Sequence, residues 1–380
     1  MIRNGTLDGA QGGATRPGVL RSASRAKESL VQVTLNDIAK RVGVSQQVVS
    51  KVINGGRSRG GNASAATRDR ILKVAAELGY RPNAAAKAMR ERSWRHIGVL
   101  VRNSPARRLI HPLAFETILG INEGLQSEGY MLSIIRIDDL EHDLAGGSRA
   151  FRENMLDGVI VIDAFTRPIE EGLEAVVPRV VWTDSNVWRP TGCIQRDECW
   201  AGETVIDAIH RLGYTRARWV TFPYRRDLVT HFSLVDRYAG AVAAASRLGI
   251  DLERIELEGP NDPQVLEPGV VFDPESVVIP CTVNVARCLS QSAAGLGLTA
   301  PYDFSMVCPD SADELSRFWP GLSRATFSRF DMGVVAARMM LEEIDSVGEQ
   351  EPPSIKLRGH WHPGCTAWGP GPHDRPATPA

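Results

Sequence analysis

Seven short runs of apolar and β-branched residues punctuate the chain beyond residue 95: HIGVLV (96–101), YMLSIIRI (130–137), GVIVI (158–162), RVVWT (179–183), ARWVTF (217–222), SVVIP (276–280) and FSMVC (304–308). Amphipathic segments at helical spacing lie between them, among them 114–128, 199–212 and 235–248. Strands that alternate with helices rejoin a sheet by crossover, so the pattern predicts an α/β fold with parallel sheets covered by helices. Residues 95–367, about 270 in all, suit two such sheets better than one, with a ligand cleft between them. The expected partition is lobe one over 95–194 and 309–327, and lobe two over 195–308 and 328–367.

Residues 33–80 follow a different rule. Thr34 and Asp37 have the spacing of a capping box, Leu35, Ile38, Ala39 and Val42 form an apolar stripe, and Gly43 is a stop, which predicts a helix over 35–42. In SQQVVSKVIN (45–54), Ser45 caps a second helix that turns Val48, Val49, Val52 and Ile53 inward and leaves Gln46, Gln47, Ser50 and Lys51 outward. A glycine-rich loop, GGRSRGGNAS, leads to a third helix that begins at Ser64, carries Ile71, Leu72, Val74, Ala75 and Leu78 on one face, and ends at Gly79. Three short helices sharing one core make an all-α headpiece. In the next stretch, 81–94, Pro82 and a run of alanines favour a short helix with little core to hold it, a helix conditional on a partner. Residues 1–32 read as a flexible arm and the Pro-rich 368–380 as a disordered tail.

Charge separates the two halves. Residues 1–95 hold 18 Lys and Arg against 6 Asp and Glu, while the remainder holds 26 against 39, so a formal total of −1 hides a basic block joined to an acidic body. A basic block is drawn to a polyanion by phosphate neutralisation and counterion release. A helix about 1 nm wide fits the DNA major groove, where glutamine bonds the N6 and N7 edge of adenine and lysine reaches guanine O6 or N7. Other classes find little support. No run of 18 apolar residues is present to span a bilayer, and the first 29 residues lack the apolar centre of a secretory signal, so a cytoplasmic protein without membrane contact is expected. Cys193, Cys199, Cys281, Cys288, Cys308 and Cys365 form no CxxC pair and read as reduced. His360, His362 and Cys365 in HWHPGC lack a fourth ligand at suitable spacing and read as a surface loop, and neither a metal nor a cofactor is expected. GxSxG, GxxxxGK[ST], HExxH and a strand-borne GxGxxG are all missing, so an enzyme is not expected.

The segments VTLNDIAKRVGVSQQVVSKVIN, TRDRILKVAAELGYRPNAAAKAM and IGVLV resemble the lactose-repressor (LacI/GalR) family of bacterial transcription regulators almost position for position. The resemblance continues more loosely through DGVIVID, RVVWTDS, AIHRLGYTRARWV, DRYAG, GLTAPYDFSMV and GLSRATFSRFDMG to about residue 367. It implies a helix-turn-helix headpiece, a hinge helix and a two-lobed body like that of periplasmic sugar-binding proteins, with a homodimer acting as repressor on a pseudo-palindromic operator of double-stranded DNA. The C-terminus shows no leucine heptads, which favours a dimer over a tethered tetramer. By the resemblance, Gln46, Gln47 and Lys51 read bases, and Lys51 stands where the family usually has an arginine, which weakens bidentate contact to guanine. Thr34, Leu35, Ser45, Ser50, Asn54, Thr67, Tyr80 and Asn83 match backbone-contacting or supporting positions. Ala86 and Met89 fall where the hinge helix enters the minor groove, with Met89 as apolar wedge in place of the common leucine.

The family takes a small-molecule effector between its lobes. Arg237 in DRYAG and Asp184 in WTDS match cleft residues of that site, and Leu113 and Phe165, on loops after lobe-one strands, are expected to wall it. In IPCTVNVARC, Thr282 and Val283 replace the usual Asn-Asp pair, which argues against an ordinary hexose or purine and leaves a less polar, phosphorylated or acidic ligand, or a cleft that has lost its effector. Arg237 without that carboxylate tilts the expected preference towards an anion. The alternative, a sugar-type binding receptor without DNA regulation, fits the body equally well but not the basic headpiece.

Overall fold

A computed structural model of the chain describes residues 33–53, 63–91, 93–102, 112–137, 149–153, 155–163, 165, 167–221, 230–257, 272–311, 319–346, 351–371 and 373. The expected arm (1–32), most of the glycine-rich loop and the last residues of the tail lie outside them. The chain divides into two compact units between Ala84 and Ala85.

The first unit contains α1 (Leu35–Val42), α2 (Gln46–Ile53) and α3 (Ala65–Glu77). Both halves of the capping box form: the Thr34 hydroxyl accepts the Asp37 N–H at 3.4 Å, and the Asp37 carboxylate accepts the Thr34 N–H at 2.9 Å. Gly43 closes α1 at φ 76°, a left-handed turn that suits a residue without Cβ. Ile38, Ala39, Val42, Val49 and Ile71 are buried together, with Val33, Leu35, Val48, Leu78 and Tyr80 packed around them. Ser64 caps α3 by accepting the Thr67 N–H at 3.2 Å.

At the division lies α4 (Ala84–Glu91), so the segment expected to be only conditionally helical is a helix of eight residues. The body follows as β1 (His96–Arg102), α5 (Pro112–Ser127), β2 (Met131–Ile137), α6 (Arg149–Arg152), β3 (Gly158–Ile162), α7 (Arg167–Val176), β4 (Val180–Thr183), β5 (Cys193–Arg196), α8 (Glu198–Arg211), β6 (Arg216–Thr221), α9 (Phe232–Leu248), β7 (Asp251–Glu256), β8 (Val277–Pro280), α10 (Val283–Gly295), β9 (Ser305–Cys308), β10 (Ser323–Thr326), α11 (Arg329–Asp345), β11 (Ile355–Leu357) and β12 (His360–His362). Two six-stranded sheets result, ordered β11-β5-β4-β3-β1-β2 in lobe one and β12-β10-β9-β8-β6-β7 in lobe two. The ladders are parallel except for β10 with β12. Lobe-one strands bury both faces: Val99 and Ile160 pack under α5 and α11, while their neighbours Leu100 and Val161 face the opposite layer with Leu173 and Trp182. In lobe two, Val220, Val277, Ile279 and Met306 occupy the equivalent core. Among the described residues no helix is long and apolar enough to cross a membrane.

Two boundary expectations fail. β10 belongs to lobe two, whereas α11 and β11 belong to lobe one before β12 returns to lobe two, which reverses the expected assignment of 309–327 and of most of 328–357. An amphipathic helix does not declare which sheet it covers. Here Met332, Ala336, Ala337, Met339 and Met340 of α11 bury against Ile97, Val99 and Ile121 of lobe one. The tail from 368 was expected to be disordered, yet residues 368–371 and 373 lie against lobe two. Ser305 Oγ accepts the Trp368 N–H at 3.1 Å, Tyr214 donates its hydroxyl to the Gly369 carbonyl at 3.2 Å, and the Trp368 ring meets Tyr302 edge-on at 5.3 Å. Aromatic packing overrides the Pro-rich composition there. His360 and His362 sit on an edge strand paired with β10 rather than on a loop.

Each lobe holds its paired helices in backbone contact through reciprocal glycines. A Cβ at Gly120 on α5 would lie 2.0 Å from the Phe330 carbonyl oxygen, and one at Gly333 on α11 would lie 2.1 Å from that of Thr117. Lobe two repeats the device: Gly202 on α8 against Arg237 O at 2.0 Å, and Gly240 on α9 against Cys199 O at 2.1 Å. Backbone cannot rotate away as a side chain can, so the gain in helix propensity from Gly→Ala is outweighed by overpacking. We expect Gly333→Ala and Gly202→Ala each to lower body stability by about 1–3 kcal/mol or more in denaturant titration. Gly295→Ala, at the end of α10 with nothing within 4 Å, is expected to be neutral or stabilising by up to ~1 kcal/mol.

Candidate nucleic-acid interface and interlobe cleft

On α2 the residues alternate between two tasks at helical spacing. Val49 is buried and Val48, Val52 and Ile53 pack on the core, while Gln46, Gln47 and Lys51 are exposed on the opposite face with Ser50 half-buried beside them. Ser45 accepts the Val48 N–H at 3.4 Å and so starts the helix at the point where the polar face begins. Thr34 is committed to the capping box, Leu35 and Tyr80 pack on the headpiece core, and Thr67 shares a 2.9 Å hydroxyl contact with Ser64. These four are therefore structural as well as candidate contact residues. Asn83 and Ala86 are exposed, and Met89 on α4 is 80% exposed, a large apolar side chain presented outward. Asn54 lies outside the described residues.

Between the lobes is a cavity of about 260 Å³, lined in part by Thr117, Asp163, Asp184, Arg196, Asp310 and Arg329. Four of these come from the carboxyl ends of strands, where open α/β sheets present ligands: Asp163 after β3, Asp184 after β4, Arg196 at the end of β5, Asp310 after β9. Asp163 and Asp184 both adopt left-handed backbone, at φ 86° and 52°, which aspartate tolerates better than most residues.

Arg196 forks onto Asp184, with Nε at 3.0 Å from one carboxylate oxygen and Nη2 at 3.2 Å from the other. Arg329, first residue of α11, donates to the same carboxylate at 2.6 Å. Arg237 donates to Glu198 at 2.7 Å and to the Cys281 carbonyl at 2.5 Å. Asp310 lies 3.4 Å from Arg196, 3.4 Å from Arg237 and 3.6 Å from Arg329, and Arg196 also touches Glu198. Three guanidinium groups thus face three carboxylates, all six buried. Burial alone would favour protonated carboxyls. The flanking Arg196 and Arg329 overcome it at Asp184, and Arg237 with Arg196 and Arg329 at Asp310, so both carboxyls are held below the usual carboxylate range.

This geometry revises the expected effector residues. Asp184 reaches the cavity, but its carboxylate is already held by two arginines. Arg237 is absent from the cavity lining and closes the site from behind, tied to Glu198. Phe165 is buried in the lobe-one core with Leu100, Val161 and Leu173, so it does not wall the cleft. Leu113 lies in the first turn of α5 rather than on a loop, and its side chain is outside the described residues. Thr282 does line the cavity while capping α10 through the Val285 N–H at 3.3 Å, and Val283 packs on the lobe-two core. The expected anionic tilt fails because it counted Arg237 without Glu198 and Asp310, which neutralise it. Arg196, Glu198, Asp310 and Arg329 went unpredicted. For Asp310 the signal was present in the sequence, as a charged residue just beyond the apolar run FSMVC.

Residues 34–83 match the family described as bacterial regulatory proteins, lacI family. The chain is 25% identical over 337 residues, 83% of its length and 93% of its relative's, to the HTH-type transcriptional repressor PurR of Pasteurella multocida (strain Pm70). In fold it is similar to the lac repressor dimer bound to operator and the anti-inducer ONPF, at TM-score 0.70 and 20% identity, covering 89% of this chain and 100% of that one. It also resembles the transcriptional regulator CelR in complex with cellobiose, at TM-score 0.55 and 19% identity, covering 88% of this chain and 100% of that one. A capped three-helix headpiece with an outward polar second helix matches the lacI-family model, and the whole chain, two crossover-linked lobes included, is similar along more than four fifths of its length to transcription regulators of that kind.

Proposed function

We propose that the chain is a sequence-specific repressor that binds a pseudo-palindromic operator as a homodimer, reads bases through α2 and the adjoining groove through α4, and is modulated by a small effector in the interlobe cleft. One observation carries the reading: Gln46, Gln47 and Lys51 share an exposed face whose reverse side is the headpiece core. Glutamines there offer paired bonds to adenine, and Lys51 a single point charge to guanine. Thr34, Leu35, Ser45, Ser50, Asn54, Thr67, Tyr80 and Asn83 fix register on the phosphates, while Ala86 and Met89 enter the minor groove.

The homodimer is supported by apolar exposure on lobe one. Phe115 and Leu119 of α5 and Ile134 of the edge strand β2, on the sheet face that carries α5, are 51%, 41% and 44% exposed, apolar surface suited to a second copy. The cavity of about 260 Å³ supports a compact ligand. Its lining of Asp163, Asp184 and Asp310 against Arg196 and Arg329 supports a neutral polar ligand over an anion.

We expect the purified chain to bind an inverted-repeat duplex from DNA flanking its coding region as one dimer per site, with affinity that falls steeply as salt rises in fluorescence anisotropy. Binding indifferent to sequence, or retained by residues 80–380 alone, would overturn the reading. Lys51→Ala and Gln47→Ala should each weaken operator binding about tenfold, against a small change on unrelated DNA. Met89→Ala keeps a good helix former but removes the wedge, so reduced DNA bending in a permutation gel is the expected result, and Met89→Gly should go further by weakening α4 as well. Unchanged bending in both variants rules out the minor-groove role.

A further inference from the structure

The cleft is bridged by the chain itself along one rim. On lobe one the turn after β4 carries Asp184, Ser185 and Asn186, and on lobe two Thr230 and the cap residue His231 lead into α9 at Phe232. Asn186 closes a two-bond bridge across the gap: its Nδ2 donates to the Thr230 carbonyl at 2.9 Å, and its Oδ1 accepts the Phe232 N–H at 2.7 Å. His231 adds a third bond. Its Nδ1 accepts the Ser233 N–H at 3.2 Å, which leaves Nε2 as donor to the Asp184 carbonyl at 2.8 Å.

Behind this rim the charges are shared unevenly between the lobes. Lobe one contributes Asp163, Asp184, Arg196 and Arg329, while lobe two contributes Glu198, Arg237 and Asp310, so both arginines of lobe one face a wall with an excess of carboxylate. Arg329 and Arg196 reach across to Asp310 at 3.6 and 3.4 Å. These three groups are buried, where the attraction is little screened by salt and where separating the walls exposes unmatched charge. Every one of these contacts joins protein to protein.

We propose that the chain carries a built-in interlobe clasp, in which the 184–186 turn grips the start of α9 over a cleft crossed by buried ion pairs, so that closure is a property of the chain before any effector binds. The inference deepens the regulatory reading above and depends on it only for its consequence at the operator. A ligand moves a two-state balance only by the difference in its affinity for the two states. Where the closed state is already self-held, the ligand that switches the protein is one that binds the open cleft better, by competing for the partners of Asp184 and Asn186.

The test is hydrogen–deuterium exchange of the full chain without added ligand, comparing the unaltered protein with Asn186→Ala and Arg329→Met. In the unaltered protein residues 230–236 should exchange slowly. Both variants should exchange at least tenfold faster there, and the acceleration should spread to 184–187 and to 282–285 on the far wall of the cavity, with β8 unchanged as the fold control. A change confined to 230–233 would mean a lost local bond, and together with no change, or with fast exchange in the unaltered protein, it overturns the clasp. If Arg329→Met unfolds, seen as lost protection at β8, Asn186→Ala alone decides. Operator binding by the unaltered chain is measured in parallel; its failure removes the regulatory reading and leaves the exchange result to judge the clasp.

Discussion

The body depends on keeping six ionised groups in balance at the place where the chain passes from one sheet to the other. Taking Arg196, Arg237, Arg329, Asp184, Glu198 and Asp310 out of water costs several kcal/mol per ion, and their mutual attraction roughly offsets that cost without a large surplus. Such a cluster therefore contributes specificity more than net stability. Removing one partner leaves an uncompensated buried charge, an effect of about 3–5 kcal/mol, so the lobe arrangement that satisfies all six at once is strongly preferred over any that satisfies five. The same logic accounts for the left-handed turn at Asp184. A strained backbone at the end of a strand persists where surrounding contacts over-determine it, and the two arginines on Asp184 supply them.

Rigidity elsewhere concentrates movement at the crossings. In both lobes a glycine pair brings two helices into backbone contact, which leaves little freedom for one helix to slide on the other. What remains adjustable is the set of short links at 196–198, 326–329 and 357–360. Even these are packed: a Cβ on Gly359 would lie 2.3 Å from the Thr326 carbonyl oxygen, so two of the links run against each other. Lobes that behave as solid halves joined by close-set links open and close as units, the hinge-type motion that couples a cleft to a distant element. A single bridge at the rim, such as Asn186 to the start of α9, then acts with leverage on the whole cleft.

The sequence discloses those elements whose formation depends on local pattern. α1 is legible to the residue because Thr34, Asp37 and Gly43 mark both of its ends, and β1, β3, β4 and β8 are legible because strands buried on both faces are uninterrupted apolar runs. β7, DLERIE, is not, since it is an edge strand with mostly exposed or half-buried side chains. β11 and β12 are three residues each, too short for any period to show. The lobe membership of α11 is a tertiary fact, fixed by Gly120 and Gly333 meeting across 213 positions of sequence. The cleft was legible in outline and wrong in charge. Asp184 lies where the resemblance places it, but Arg237 was weighed alone, and its partners Glu198 and Asp310 come from other strands and helices that only folding brings together.

The two candidate sites treat fold and function in opposite ways. On α2 the core uses Val48, Val49, Val52 and Ile53 and leaves Gln46, Gln47 and Lys51 to the solvent side, so the candidate reading residues lie apart from the apolar packing that supports them. Partner preference can drift there at little cost in stability. In the cleft the same side chains serve both ends: Asp184 already accepts three bonds from Arg196 and Arg329, so a ligand that competes for those positions loosens an arginine and weakens the contact that defines the lobe arrangement. A ligand at that position is therefore coupled to lobe geometry by the chemistry of the binding itself. For a regulator, that coupling is what allows occupancy of a small cavity to be felt as a change of shape.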